Sequence, residues 1–118
     1  MKQDQMIENF RKELIDAECF GLMAVRTTFG NYLERWKHEY ESLAILSGFL
    51  LHQANCENLR ADTELTGTYL LLFHQTWDCA RENLFSEDYH VFCIYSRTRE
   101  NLLFDLEASI FLLKDGRK

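Results

Sequence analysis

The sequence predicts an all-α fold, a compact bundle of about four helices, on three observations. The 118 residues include no proline and only five glycines, so few positions suit the tight turns of a β-rich fold. Apolar side chains recur every three or four residues through most of the chain, which is the spacing of one helical face. Hydrophobic residues make up 47% of the chain, enough for a single domain over 1–118 to build its own core.

The first helix is predicted over about 4–25. Its apolar stripe follows alternating steps of three and four residues and contains Ile7, Phe10, Leu14, Ala17, Gly21 and Ala24. Two threonines, a glycine and an asparagine fall within 27–31, and all of these are weak helix formers. We therefore expect the first helix to end before this segment.

The second helix is predicted over about 32–57. Its segment 43–51 is apolar nearly all round, which indicates a helix buried on every side, either at the centre of the domain or under a second copy of the chain. Nine residues are too few to cross a bilayer, which takes about 20. The polar segment 55–62 predicts the turn that follows.

Two further helices complete the predicted bundle. One covers about 63–84, and Ser86 followed by two acidic residues is a start signal for the next segment. The last covers about 101–114, with Lys114 near its end and Gly116 just after it, as is common at helix C-termini.

An alternative fold adds a small β-hairpin to the helices. The runs 67–73 and 89–95 are rich in β-branched and aromatic residues and are the only plausible pair of strands. Two strands alone are marginally stable, and both runs also fit a helical period. We therefore favour the all-α fold over this α+β alternative.

The cysteines and the N-terminus together indicate a reducing compartment. The cysteines lie at 19, 56, 79 and 93, and the first residues lack the apolar run of a secretory signal. A chain with its own core does not need disulfides. We expect buried, reduced thiols and a cytoplasmic protein that does not contact membranes.

Two His/Cys pairs are the candidates for a metal site. His52 and Cys56 are four residues apart, and His90 and Cys93 are three apart, so each pair lies on one helical face. Two such pairs on facing helices would supply the four ligands of a zinc ion. Because isolated cysteines usually behave as small buried hydrophobes, we expect no metal or cofactor and keep a Cys/His metal-binding protein as the alternative.

No catalytic motif is present. The chain lacks the Gly-x-Ser-x-Gly nucleophile turn and the glycine-rich loops that hold phosphates. Cys79 lies five residues from His74, but nothing in the sequence indicates an activated thiol. The sequence therefore predicts a protein that is not an enzyme and has no catalytic residues.

The charge is unevenly distributed. The net charge is −6, and residues 61–96 carry six acidic side chains, one basic side chain and seven aromatic ones. This balance argues against direct nucleic-acid binding. Acidic side chains around exposed aromatic rings suit a surface that binds a basic protein, and the residues predicted to form it are Tyr69, Trp77, Asp78, Glu82, Glu87 and Asp88.

The sequence thus predicts a small acidic protein-binding module, acting as an inhibitor, an immunity-type protein or a regulator of a partner with a basic surface. A homodimer is compatible with this function. Its expected contacts are the apolar segment 43–51 and the small residues Gly21 and Ala24.

Overall fold

The computed structural model describes the backbone of residues 2–97 and 100–115, and within these ranges it is all-α, with no strand. The described residues form six helices where about four were expected. They are α1 (Lys2–Glu18), α2 (Leu22–Trp36), α3 (Tyr40–Leu59), α4 (Thr63–Asn83), α5 (Ser86–Arg97) and α6 (Glu100–Asp115).

The alternative with a β-hairpin is wrong. Residues 67–73 lie inside α4, and residues 89–95 lie inside α5. The β-branched and aromatic side chains of these runs pack as helical faces, and Phe73 and Phe92 both belong to the core. Strand propensity is a weak preference, which burial of an apolar helical face overrides.

The first predicted break is displaced. Segment 27–31 is helical within α2, and the Thr27 hydroxyl donates a hydrogen bond to the Met23 carbonyl oxygen at 3.0 Å. The chain turns earlier, at Gly21, whose φ of 117° is a conformation that favours glycine. Helix α1 ends at Glu18, and the glycine expected on its stripe lies in the turn and is the N-cap of α2.

A second break interrupts the helix predicted over 32–57. Residues 37–39 separate α2 from α3, and Glu39 has an extended backbone with φ −114° and ψ 107°. This segment has neither glycine nor proline, so the sequence carries no strong signal for a turn there.

Helix α3 is the centre of the bundle, as its apolar segment predicted. It makes its most extensive contact with α4 and also packs against α1, α2, α5 and α6. Its fully buried residues are Leu43, Leu46, Leu50, Leu51 and Ala54. Helices of the same chain bury most of segment 43–51, and its half-buried residues are Ala44, Ile45, Gly48 and Phe49.

The remaining helices begin where the sequence predicted. Helix α4 follows Asp62, whose carboxylate accepts a hydrogen bond from the Leu65 N–H at 3.0 Å. Helix α5 begins at Ser86. The predicted stop at Gly116 lies outside the described residues. In the described part of the chain, no helix combines the length and apolar character needed to span a bilayer.

Candidate functional site

The α2–α3 turn and the α4–α5 turn meet at one end of the bundle. The His38 Nδ1 atom lies 3.4 Å from the Asn83 carbonyl oxygen, which brings residues 37–39 beside the end of α4. The turn between α4 and α5 is only two residues long, so the start of α5 lies at this end as well. We call this end the acidic end, and it contains Glu39, Glu41, Glu82, Phe85, Glu87 and Asp88.

Phe85 is the most exposed aromatic side chain at the acidic end. It lies between α4 and α5, and 85% of its surface is accessible. Glu82 precedes it by three residues and Glu87 follows it by two, and both carboxylates are exposed. Phe85 was not among the predicted site residues, because it belongs to no helical face. Its position between the helix predicted over about 63–84 and the start signal at Ser86 was the available signal.

Asp78 and Glu82, two of the predicted partner-binding residues, are four residues apart on α4. Both are exposed on α4 and line a cavity of about 390 Å³ between α2 and α4. Arg81 approaches Asp78 with an Nη2–Oδ1 distance of 3.4 Å, and Lys37 on the other wall pairs with Glu34 at 2.8 Å. Exposed pairs of this kind contribute little stability.

Glu87 and Asp88 occupy the first turn of α5, where carboxylates interact favourably with the helix dipole. Asp88 is half-buried. Glu41 is the main cause of a raised pKa at the Tyr40 hydroxyl, and Asp88 adds to it. The start of α5 and the start of α3 therefore contribute to one negative field.

Trp77 is half-buried and has a structural role in joining α4 to α5. Its indole nitrogen donates a hydrogen bond to the Tyr89 hydroxyl at 3.2 Å. Its ring lies edge-on to Phe92, with centroids 5.4 Å apart, and also contacts Phe73. Most of this side chain is committed to packing.

The expectation that Tyr69 is exposed on the binding surface is wrong. The side chain is fully buried, and its hydroxyl donates a hydrogen bond to the Glu18 carboxylate. Burial raises the pKa of Tyr69, and the Glu18 carboxylate raises it further. The helical stripe of α4 turns this ring toward α1 and α3, so Tyr69 is a core residue.

A larger cavity lies on the other side of the α2–α3 turn. Its volume is about 820 Å³, and residues of α1 and the start of α3 line it. Its described lining consists of Gln5, Met6, Asn9, Trp36, His38, Glu39, Tyr40, Glu41 and Ser42. No sequence motif indicated this cavity, because the segments that line it are distant in the chain.

The two His/Cys pairs do not form a common metal site. The His52 Nε2 and Cys56 Sγ atoms are 3.7 Å apart. Among the described residues, no three His, Cys, Asp or Glu side chains are arranged to hold a metal ion. His90 and Cys93 on α5 therefore do not complete a site with the pair on α3.

The four cysteines are free, as expected, but none is fully buried. Cys19 is exposed, and Cys56, Cys79 and Cys93 are half-buried. Burial raises the pKa of the Cys79 thiol, which favours the protonated form and is the opposite of what a nucleophilic thiolate requires.

Comparison of the chain with family models, curated proteins and solved structures found no match. The site is therefore interpreted from its own geometry and charge.

Proposed function

We propose that the protein is a non-enzymatic binding module whose acidic end docks on a basic surface of a partner protein and inhibits or regulates it. The observation that carries this proposal is Phe85, which is 85% exposed in the α4–α5 turn and has the exposed residues Glu82 three positions before it and Glu87 two positions after it. The four free cysteines fit a reducing compartment such as the cytoplasm.

The ring and the carboxylates have different roles in this proposal. Burying a phenylalanine side chain in an interface contributes about 1.5–3 kcal/mol, which makes Phe85 the anchor. The carboxylates attract a basic partner over a longer range and accelerate association. The predicted partner-binding residues that remain in this proposal are Asp78, Glu82, Glu87 and Asp88. Trp77 has a structural role beneath this surface, and Tyr69 is a buried core residue that does not contact the partner.

A second group of exposed apolar side chains lies at the opposite end of the bundle. The length of α4, roughly 30 Å, separates the two ends. This second group surrounds the α1–α2 turn and includes Phe20, which is 86% exposed, and Met23. Isolated exposed apolar residues are common on proteins. Phe20 follows Asp16 and Glu18 in the chain, much as Phe85 follows Glu82, so it supplies a matched control.

The test is affinity capture from the native cell with three baits, namely wild type, Phe85→Ser and Phe20→Ser, followed by quantitative mass spectrometry. Both rings are almost fully exposed, so each substitution is expected to leave the melting temperature nearly unchanged. We expect a protein with a basic surface that is enriched on wild type and Phe20→Ser and depleted at least about tenfold on Phe85→Ser.

Retention of the same partners on the Phe85→Ser bait would contradict the proposal. Loss of the partner on Phe20→Ser alone would place the binding surface at the α1–α2 turn instead.

A further inference from the structure

We propose that the cavity between α1 and the start of α3 binds an organic cation, an ammonium group carried on an alkyl chain. At about 820 Å³ the cavity lies within the 300–1,000 Å³ range typical of small-molecule sites. This proposal does not depend on the docking role of Phe85.

Aromatic and apolar side chains form the wall of the cavity. Trp36 and Tyr40 both line it, and Met6 adds an apolar contact from α1. The Trp36 ring packs on Tyr32 with centroids 4.8 Å apart, and Tyr32 in turn contacts the buried Phe10 at 4.9 Å. The indole is therefore supported by the core. A cation within about 6 Å of such a ring is attracted by its π electrons.

Carboxylates supply the second part of the site. Glu39 and Glu41 line the cavity, and its described lining includes one histidine, His38, and neither lysine nor arginine. The Ser42 hydroxyl donates a hydrogen bond to Glu39 Oε2 at 2.9 Å, which orients that carboxylate. The Tyr40 hydroxyl contacts Glu41 Oε1 at 3.3 Å, and Asp88 on α5 extends the negative field to this hydroxyl.

The combination of rings and carboxylates selects one ligand class. Glu39 and Glu41 repel an anion and attract a cation, whereas a neutral ligand interacts with their carboxylates only through a hydrogen-bond donor. A bare metal ion requires several converging donors, and the described residues hold no such group of His, Cys, Asp or Glu. An alkylated ammonium ion matches both features, because aromatic rings such as those of Trp36 and Tyr40 attract it and the Glu39 carboxylate offsets its charge.

The test is a titration with choline followed by tryptophan fluorescence in a Trp77→Phe variant, in which Trp36 is the remaining tryptophan. The control ligand is 3,3-dimethylbutan-1-ol, which has the shape of choline without its charge. We expect a saturable change with choline at millimolar concentration or below, and binding of the neutral ligand about tenfold weaker.

Two protein variants separate the charge effect from a change in fold. Glu39→Gln combined with Glu41→Gln should weaken choline binding about tenfold and leave the neutral ligand unaffected. Glu64→Gln, an exposed substitution on the first turn of α4, is the matched control and should change neither.

A third ligand distinguishes the sources of the cation. Nα-acetyl-lysine methylamide carries its ammonium on a peptide unit, so tighter binding of this ligand than of choline identifies a protein side chain as the occupant. Tighter binding of choline identifies a free small molecule. Both results support a cation site.

If the fluorescence titrations with choline and with the neutral ligand had the same midpoint concentration, the proposal would be overturned. Nuclear magnetic resonance of the wild-type chain provides a measurement that does not depend on the Trp77→Phe variant. If choline leaves the Trp36 indole and Tyr40 signals unchanged up to about 100 mM, far above a millimolar dissociation constant, the cavity is not a cation site.

Discussion

The indole nitrogen of Trp77 donates a hydrogen bond to the Tyr89 hydroxyl at 3.2 Å and so links α4 to α5 across the turn that exposes Phe85. The Trp77 ring also contacts Phe92 of α5. Together these contacts fix the start of α5, and with it Glu87, relative to the end of α4, which carries Glu82. These contacts therefore hold together the two helices that flank Phe85.

Tyr89→Phe is expected to lower the free energy of unfolding by about 1 kcal/mol, because it removes the acceptor of the Trp77 hydrogen bond. Urea denaturation of Tyr89→Phe, Trp77→Phe and the double variant measures the coupling between the two side chains. Fully additive effects would show that the hydrogen bond contributes nothing to stability.

Leu46→Ala is expected to destabilise the fold by about 2–5 kcal/mol, because Leu46 is fully buried in central helix α3 and its truncation leaves a cavity. Leu59→Ala, on the last turn of the same helix, is the control. Leu59 is 79% exposed, so its truncation should change stability by less than about 0.5 kcal/mol. If thermal or urea denaturation showed that Leu46→Ala and Leu59→Ala lose the same amount of stability, α3 would not be the central helix.

Helical periodicity predicted the fold class and the central position of α3. The polar segment 55–62 and the start signal at Ser86 predicted where α4 and α5 begin. The breaks between α1 and α2 and between α2 and α3 were not predicted correctly, because residue type alone does not reveal what a side chain contacts. Thr27 is a weak helix former, but its hydroxyl donates a hydrogen bond to the Met23 carbonyl oxygen within the helix. Gly21 has a positive φ, which a pattern of apolar residues does not predict. The turn at 37–39 depends on tertiary contacts, including that of His38 with Asn83.

The candidate site was only partly predictable for the same reason. The acidic residues were found by charge, since Asp78, Glu82 and Glu87 are exposed in the structure. Aromatic composition did not distinguish a surface ring from a core ring. Tyr69 faces the core, whereas Phe85 lies between two helices, where no stripe leads to the core.

Ser47→Ala is expected to stabilise the protein by about 1 kcal/mol, because burial costs the serine hydroxyl its hydration without returning a hydrogen bond. The hydroxyl is buried within α3 and has no hydrogen-bond partner among the described residues. Ser42→Ala in the same helix is the control, since the Ser42 hydroxyl donates to Glu39 and its removal should be destabilising relative to Ser47→Ala. Thermal denaturation that ranks the two variants in the reverse order would contradict this account of Ser47.

Glu57 should make stability fall as the pH rises. The side chain is 3% exposed, and burial is the main cause of its raised pKa, with the nearby Glu18 carboxylate adding to the shift. The Glu57 carboxyl group therefore keeps its proton to a higher pH in the folded chain than in the unfolded chain. The resulting stabilisation is complete below the ordinary pKa of 4.5 and is lost as the pH rises through the raised folded-state pKa.

Glu57→Gln removes the ionisation and keeps an acceptor for Arg60, so we expect it to stabilise the protein near neutral pH and to have little effect at about pH 4. Urea denaturation at both pH values, with the exposed Glu64→Gln as the control, measures the difference. A loss of stability at neutral pH would show that the Arg60 ion pair outweighs the cost of burying the charge.

The most direct test of the acidic end is the rate at which the protein associates with its captured partner, measured over a salt series. Glu82→Lys and Asp16→Lys each reverse one exposed charge, the first at the acidic end and the second near the opposite end of the bundle. We predict that Glu82→Lys slows association about threefold to tenfold at low salt and flattens the salt dependence, whereas Asp16→Lys changes the rate much less. Equal rates for wild type and Glu82→Lys at every salt concentration would contradict electrostatic docking through this end of the molecule.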